Sequence, residues 1–298
     1  MTSLPRASGD LLADRRADYA EMLFASGDHA AAAEIMLGAL ELAPAWVLGW
    51  FRLGEMHEAA GDMPAAAEAW KMALKLDADD RTGAALKLEL AGEAPASAAP
   101  PSAFVEELFD QYAGNFDASL VGKLAYRVPE LLAEAIARRG RGRFERVVDI
   151  GCGTGLMGER LRPLAGTLEG HDISAAMLKK AAARSCYDRL VKSDLQALDL
   201  APASLDLVAA ADVFMYLGAL DRIVARVASW LAPAGVFAFS VERHPGPEDV
   251  VLRPSRRYAH SEGYVRRLLD DAGLAVASFD TATIRMDRGE PVEGLIVV

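Results

Sequence analysis

Only two cysteines, Cys152 and Cys186, occur in 298 residues. That excludes a disulfide framework and a four-thiolate zinc site. Histidine is almost as scarce: the five are scattered without metal-ligand spacing, so no metal is expected. No run reaches about 18 uninterrupted apolar residues, and no membrane span is expected. The first twenty residues are broken by Asp10, Asp14 and Asp18 and lack the basic-then-apolar order of a signal peptide; a cytoplasmic protein fits best. Positive charge is also short. Residues 1–92 carry 8 basic against 15 acidic side chains, a net −7, and residues 93–298 carry 24 against 28, a net −4. Neither part suits a phosphate backbone, so nucleic acid is not an expected partner.

What is present is a repeat. Gly27 and Gly61 lie 34 residues apart, as do Asp28 and Asp62, Ala32 and Ala66, Ala39 and Ala73, and Leu40 and Leu74. Small residues at these positions let helices approach closely. Met36 and then Trp70 fill the gap between hairpins, and each glycine suits the left-handed position that ends a helix. Trp50, Leu53, Gly54, Gly61, Ala66, Trp70 and Ala73 sit at spacings that resemble the tetratricopeptide repeat. His57 stands where that family has Tyr, and Ala78 where it has Pro. Residues 81–92 are expected to form a capping helix. The expected domains are a helical repeat domain over 1–92, a linker over 93–103 rich in Ala, Pro and Ser, and a third part over 104–298.

In that third part Phe104–Asp117 and Leu120–Arg139 read as helices. Short β-rich runs follow at Arg146–Ile150, Thr167–His171, Leu190–Lys192, Leu205–Ala211 and Gly235–Val241. Helical stretches alternate with them at Leu156–Leu164, Ser174–Ala183, Ala219–Leu231 and Ser261–Ala272. This alternation predicts an α/β fold with a mostly parallel sheet covered on both faces. The runs Val276–Ile284 and Val292–Val298 have no helix between them and predict an antiparallel hairpin closing one edge.

The sharpest local signal is Asp149-Ile150-Gly151-Cys152-Gly153-Thr154-Gly155, a strand ending in a glycine-rich turn before a helix. A nicotinamide fingerprint needs glycine at 156, where Leu156 stands. No Gly-Lys-Ser/Thr follows, so a Walker A loop is excluded as well.

The whole set, from Phe104 onward, resembles a class I S-adenosylmethionine-dependent methyltransferase with its Rossmann-like sheet. Joined to the repeats, Phe109–Ala113, Tyr126–Pro129 and Arg257–His260, it is similar to a bacterial group of repeat-containing methyltransferases. The resemblance implies S-adenosylmethionine as cofactor. Asp149, Gly151, Cys152 and Gly153 would then belong to the first cofactor loop. Asp172, with Ile173 beside it, would accept the ribose hydroxyls, and Asp194 and Leu195 would meet the adenine. Ala211 at the end of the fourth strand and Tyr112 from the N-terminal helices complete the expected cofactor set. Each acidic residue also has a plainer reading: Asp149 could satisfy loop amides, and Asp172 and Asp194 could cap helices.

On the acceptor side, His260 or Glu242 is a candidate general base for an amine or phenol, and Arg257 a counter-charge for a carboxylate. His260 could equally start a helix, and Arg257 could be a solvated loop charge. The expected partner is a small-molecule acceptor. The alternative is a protein methyltransferase whose repeats recruit a protein partner, and a non-catalytic nucleoside-binding scaffold is a third reading.

Overall fold

A computed structural model describes residues 4–97, 99–114, 116, 117, 122, 124–140 and 142–298. The chain divides into two compact units, Met1–Glu107 and Leu108–Val298. The division falls four residues beyond the expected linker. Its reason is Phe104, which is buried with its ring against Gly83 and so belongs to the first unit.

The first unit contains α1 (Leu11–Ala25), α2 (His29–Leu42), α3 (Val47–Ala60), α4 (Met63–Leu76) and α5 (Ala84–Leu90). The sequence period reappears in the caps. Asp28 and Asp62 each accept a backbone N–H three residues on, from Ala31 and Ala65, as N-caps do. Gly27 and Gly61 both take positive φ. Gly54 leaves room for Trp70, and Met36 and Trp70, 34 residues apart, are both fully buried. A Cβ on Gly54 would lie 2.2 Å from Trp70 Nε1, so only glycine fits there.

Helix α6 (Ser102–Tyr112) leads to the second unit, followed by α7 (Val128–Ala137). The expected helix start at Leu120 lies outside the described residues. Then come β1 (Phe144–Ile150), α8 (Leu156–Leu161), β2 (Ala165–Asp172), α9 (Ala175–Ala183), β3 (Arg189–Lys192), β4 (Leu205–Ala210), α10 (Asp221–Trp230) and β5 (Leu231–His244). The chain ends with β6 (Val250–Leu252), β7 (Tyr258–Ser261), α11 (Glu262–Asp271), β8 (Phe279–Asp287) and β9 (Glu290–Val297). The sheet runs β3-β2-β1-β4-β5-β7-β6, with β9 also on β5 and β8 on β9. Pairs among β1 to β5 are parallel. Alternate residues of each strand feed opposite cores. Val148, Val208 and Phe237 pack with α10 and α11, while Val147, Leu207 and Val236 pack with α7 and α8. This is a Rossmann-like α/β sheet, mostly parallel and covered on both faces.

Two expectations are corrected. Tyr258–Ser261, where Tyr258–His260 read as loop and Ser261 as the start of a helix, is a strand parallel to β5. All four of its residues are buried, but Tyr-Ala-His-Ser is too short and too polar to show a period. The C-terminal hairpin does not close an edge by itself. Glu242 faces Ala259 of β7 and also Gly294 of β9, so β5 forks at this residue.

Gly54→Ala is expected to destabilise the first unit by about 1–3 kcal/mol, the usual cost of overpacking a filled core. Thermal and denaturant unfolding of the full chain measure this directly.

Candidate active site

The site forms where the parallel strands end. After β1, Gly151, Gly153 and Gly155 all have positive φ, which glycine adopts at no steric cost. A Cβ on Gly151 would sit 2.3 Å from the Val213 side chain, whereas one on Gly153 would meet nothing within 4 Å. The backbone at Gly153 therefore borders open space. Cys152 lies buried between them, its thiol pushed up by burial, and its N–H donates to the His171 carbonyl at 2.9 Å.

Asp172 ends β2. Its two oxygens accept the N–H of Gly153 and the N–H of Ser174, each at 2.8 Å. Burial pushes its carboxyl up to about 6, because an ionised carboxylate loses hydration there. Asp149 accepts the Tyr187 hydroxyl at 2.6 Å on one oxygen, and its other oxygen is buried without a partner among the described residues. Burial pushes that carboxyl up to about 7. An orphaned carboxylate oxygen beside an open glycine loop suits a ligand with a positive end and hydroxyl groups. Half-buried Ile173 follows Asp172. Asp194 accepts the Gln196 N–H at 2.8 Å within a turn, with no helix following for it to cap, and Leu195 is buried next to it. Ala211 is half-buried beyond β4.

Tyr112 is not gathered into this group. It is 56% exposed at the end of α6. The residue of that helix that does reach inward is Phe109, one turn earlier, whose ring meets Tyr216 edge-on at 5.0 Å and Phe116 at 6.1 Å.

Two aspartates near Phe109 also belong to this region. Asp110 accepts the Ser174 hydroxyl at 2.5 Å. Asp117 accepts the Thr154 hydroxyl at 2.5 Å and an Arg184 N–H at 2.6 Å. Arg184 also donates to the Thr154 carbonyl at 2.7 Å. Helix α6 is thus fastened to the turn after Asp172, and Asp117 beyond it to the glycine loop. Nothing in residue spacing signals such pairs, which join positions 37 to 67 apart.

On the acceptor side the structure brings Glu242 and Arg257 together and leaves His260 out. His260 is fully buried. Its Nε2–H donates to the Gly218 carbonyl at 2.8 Å, and its Nδ1 is enclosed without a partner among the described residues. Burial pushes its pKa down to about 4. That corrects the general-base assignment: the ring is inaccessible and stays neutral through the working range. Glu242 is 1% exposed, accepts Arg257 Nε–H at 2.8 Å and also bonds Arg285. It is committed as an ion-pair centre and cannot serve as a base in that state. Arg257 also reaches Asp287 at 2.6 Å. Arg285, which no sequence pattern singles out, is buried and donates twice to Asp212 at 3.0 Å. Asp212 itself holds φ 56, a costly conformation for a side-chain-bearing residue.

The methyltransferase domain family matches residues 148–239. A malonyl-[acyl-carrier protein] O-methyltransferase of Methylovorus is 32% identical over 202 residues, 62% of this chain and 66% of that protein. A trans-aconitate 2-methyltransferase of Deinococcus radiodurans is 38% identical over 101 residues, 33% of this chain and 38% of that protein. The chain thus spans less than two thirds of these curated relatives. A SAM-dependent methyltransferase from Leishmania major shares the fold at TM-score 0.50 and 18% identity, over 77% of this chain and 89% of that one. The cofactor of the methyltransferase domain is S-adenosylmethionine, and the open glycine loop, Asp172 and the orphaned Asp149 oxygen fit it. Among the described residues no His, Cys, Asp and Glu cluster could hold a metal, and no helix is long and apolar enough to cross a membrane.

Arg184→Lys keeps the charge but loses the guanidinium fork that holds Thr154 and Asp117. Cofactor affinity is expected to fall about fivefold, the worth of roughly one net hydrogen bond, with an unchanged melting temperature. Calorimetric titration and melting, run together, separate the two effects.

His260→Ala is expected to lower unfolding free energy by about 2–4 kcal/mol through a cavity and a lost hydrogen bond. The pH profile of the remaining activity should keep its wild-type shape. Loss of a titration near 6.5, the ordinary imidazole value, would reinstate His260 as the base.

Proposed function

We propose that this chain transfers the methyl group of S-adenosylmethionine to a small-molecule acceptor. The observation that carries this is the carboxylate of Asp172, held by two backbone amides at the edge of the open glycine loop. A carboxylate fixed in that way keeps lone pairs aimed at adjacent hydroxyls. Asp149, Gly151, Cys152, Gly153, Ile173, Asp194, Leu195 and Ala211 form the rest of the cofactor set in this reading. The sulfonium supplies an activated methyl group. The protein's part is to align the acceptor about 3–3.5 Å from it and to exclude water. Relatives named for malonyl-[acyl-carrier protein] and trans-aconitate support a small acidic group at the reacting end.

The first unit reads as a tetratricopeptide-like module. One observation favours a protein partner for it: α1 presents Leu11, Leu12, Tyr19 and Met22 to solvent. A cytoplasmic location accords with both readings.

Asp172→Ala should weaken S-adenosylmethionine binding by about 2–4 kcal/mol, as two charge-assisted hydrogen bonds are lost. In the wild type, the Asp172 carboxyl is held up to about 6. With the Asp149 carboxyl held up to about 7, affinity should be level above pH 7 and fall below it as first Asp149 and then Asp172 takes up a proton, by about tenfold per pH unit for each. Calorimetric titration between pH 5 and 8 tests both statements. An affinity unchanged by Asp172→Ala would sink the reading.

A further inference from the structure

Helix α1 turns an apolar stripe to solvent. Leu11, Arg15, Asp18 and Met22 follow one another at intervals of four, three and four residues, which puts them on one side of a helix. All four are exposed, Leu11 to 83% and Met22 to 68%. Leu12 and Tyr19, also exposed, flank the stripe. The other side of the helix, with Ala13, Ala17 and Ala20, is buried in the core that α1 shares with α2 and α3.

The 34-residue period shows what this side of a helix does elsewhere in the unit. Arg15, Tyr19 and Met22 correspond to Gly49, Leu53 and Met56 of α3. Those three residues join α3 to the hairpin before it. Leu53 and Met56 are buried in one cluster with α2, and a Cβ on Gly49 would lie 2.9 Å from the Leu40 side chain of α2. The outer side of α1 is therefore a hairpin-to-hairpin contact surface without its hairpin. It differs at the tightest point. Gly49 lets α2 come close, whereas Arg15 holds a neighbour off. A helix like α2 does not fit there, and the occupant must accept a guanidinium in the middle of an apolar line.

The charges of α1 say which helix does. Asp14 accepts the Ser8 N–H, Arg16 donates to the Gly38 carbonyl, and Glu21 pairs with Arg52. Arg15 and Asp18 have no hydrogen bond or ion pair among the described residues. Two copies of α1 laid antiparallel about a point between Arg16 and Ala17 set Leu11 opposite Met22 and Arg15 opposite Asp18. A two-fold axis makes each of these pairs twice. The stripe is complementary to itself, as a two-fold contact requires.

We infer that the exposed side of α1 binds a second copy of this chain, as an antiparallel pair of α1 helices with two Arg15–Asp18 ion pairs and two Leu11–Met22 contacts. The inference goes beyond methyl transfer and does not depend on it. A helix of 15 residues is about 22 Å long, so the contact stays below about 1,200 Å², the range of weak and reversible association. The apolar residues supply the attraction, and the ion pairs fix direction and register.

The test is sedimentation velocity of the full chain from about 1 to 200 µM, a range that suits a contact of this size. The mass is expected to rise from one chain to two. Met22→Asp should hold it at one chain. Arg15→Glu and Asp18→Arg should each weaken association at least about tenfold, because both attractive pairs become repulsive. These positions are exposed, so melting temperature and S-adenosylmethionine affinity should keep their wild-type values. The decisive arm mixes the Arg15→Glu chain with the Asp18→Arg chain, where every charge at the contact meets its opposite on the other molecule. A mixed dimer should form from two variants that do not self-associate, and the double variant R15E/D18R should self-associate again. A one-chain mass at every wild-type concentration would overturn the pair and leave the face to a partner of different sequence. Association that Met22→Asp leaves unchanged, or a mixture that stays at one chain, would overturn it as well.

Discussion

The second unit is organised around a carboxylate at a fork. Glu242 sits on β5 where the strand has β7 as a parallel neighbour and β9 as an antiparallel one. Three guanidiniums converge on it, from the turn before β7 and from β8. A carboxylate that is 1% exposed is stable only with such partners, and removing one partner of a buried ion pair typically costs about 3–5 kcal/mol. The same pairs place Asp212, Arg257 and Asp287, so the shape of the acceptor wall and the joining of three strands are one electrostatic problem. Gly294 is part of the solution. A Cβ there would approach Ile284 to 2.6 Å and the Val241 carbonyl to 2.9 Å, which would push β9 off the fork.

The cofactor side rests on backbone geometry instead. Its glycines, its Asp172 and the strand-turn-helix around them are contiguous in sequence or separated by one βα unit. Periodicity and glycine spacing therefore make them legible from the residues alone. The 34-residue period is legible for the same reason, since each Asp cap and each terminal Gly acts on its immediate neighbours. The acceptor side is not legible in this way. Arg285 and Asp212 are 73 residues apart, and β7 is four residues of mixed polarity. His260 reads as chemistry in a sequence because histidine is rare and titratable. Only its burial against the Gly218 carbonyl shows it to be a core residue. Tyr112 and Phe109 lie on neighbouring turns of one helix, and aromatic content cannot decide which of them faces inward.

Position 153 illustrates how the two kinds of constraint differ. Gly151 is required by a neighbour, because Val213 fills the space a side chain would need. Gly153 has no such neighbour. Its requirement comes from its φ of 54° and from the N–H it donates to Asp172.

The raised carboxyls of Asp149 and Asp172 have a thermodynamic consequence. Near neutral and mildly acidic pH part of the unliganded population carries protons on these two groups. A cationic ligand with hydroxyls favours their ionised forms, so binding expels protons into the solvent. The heat of association then contains the ionisation enthalpy of whatever buffer receives them. Titrations in phosphate and in Tris at one pH would give different apparent enthalpies for the same affinity, and the slope between them counts the protons released.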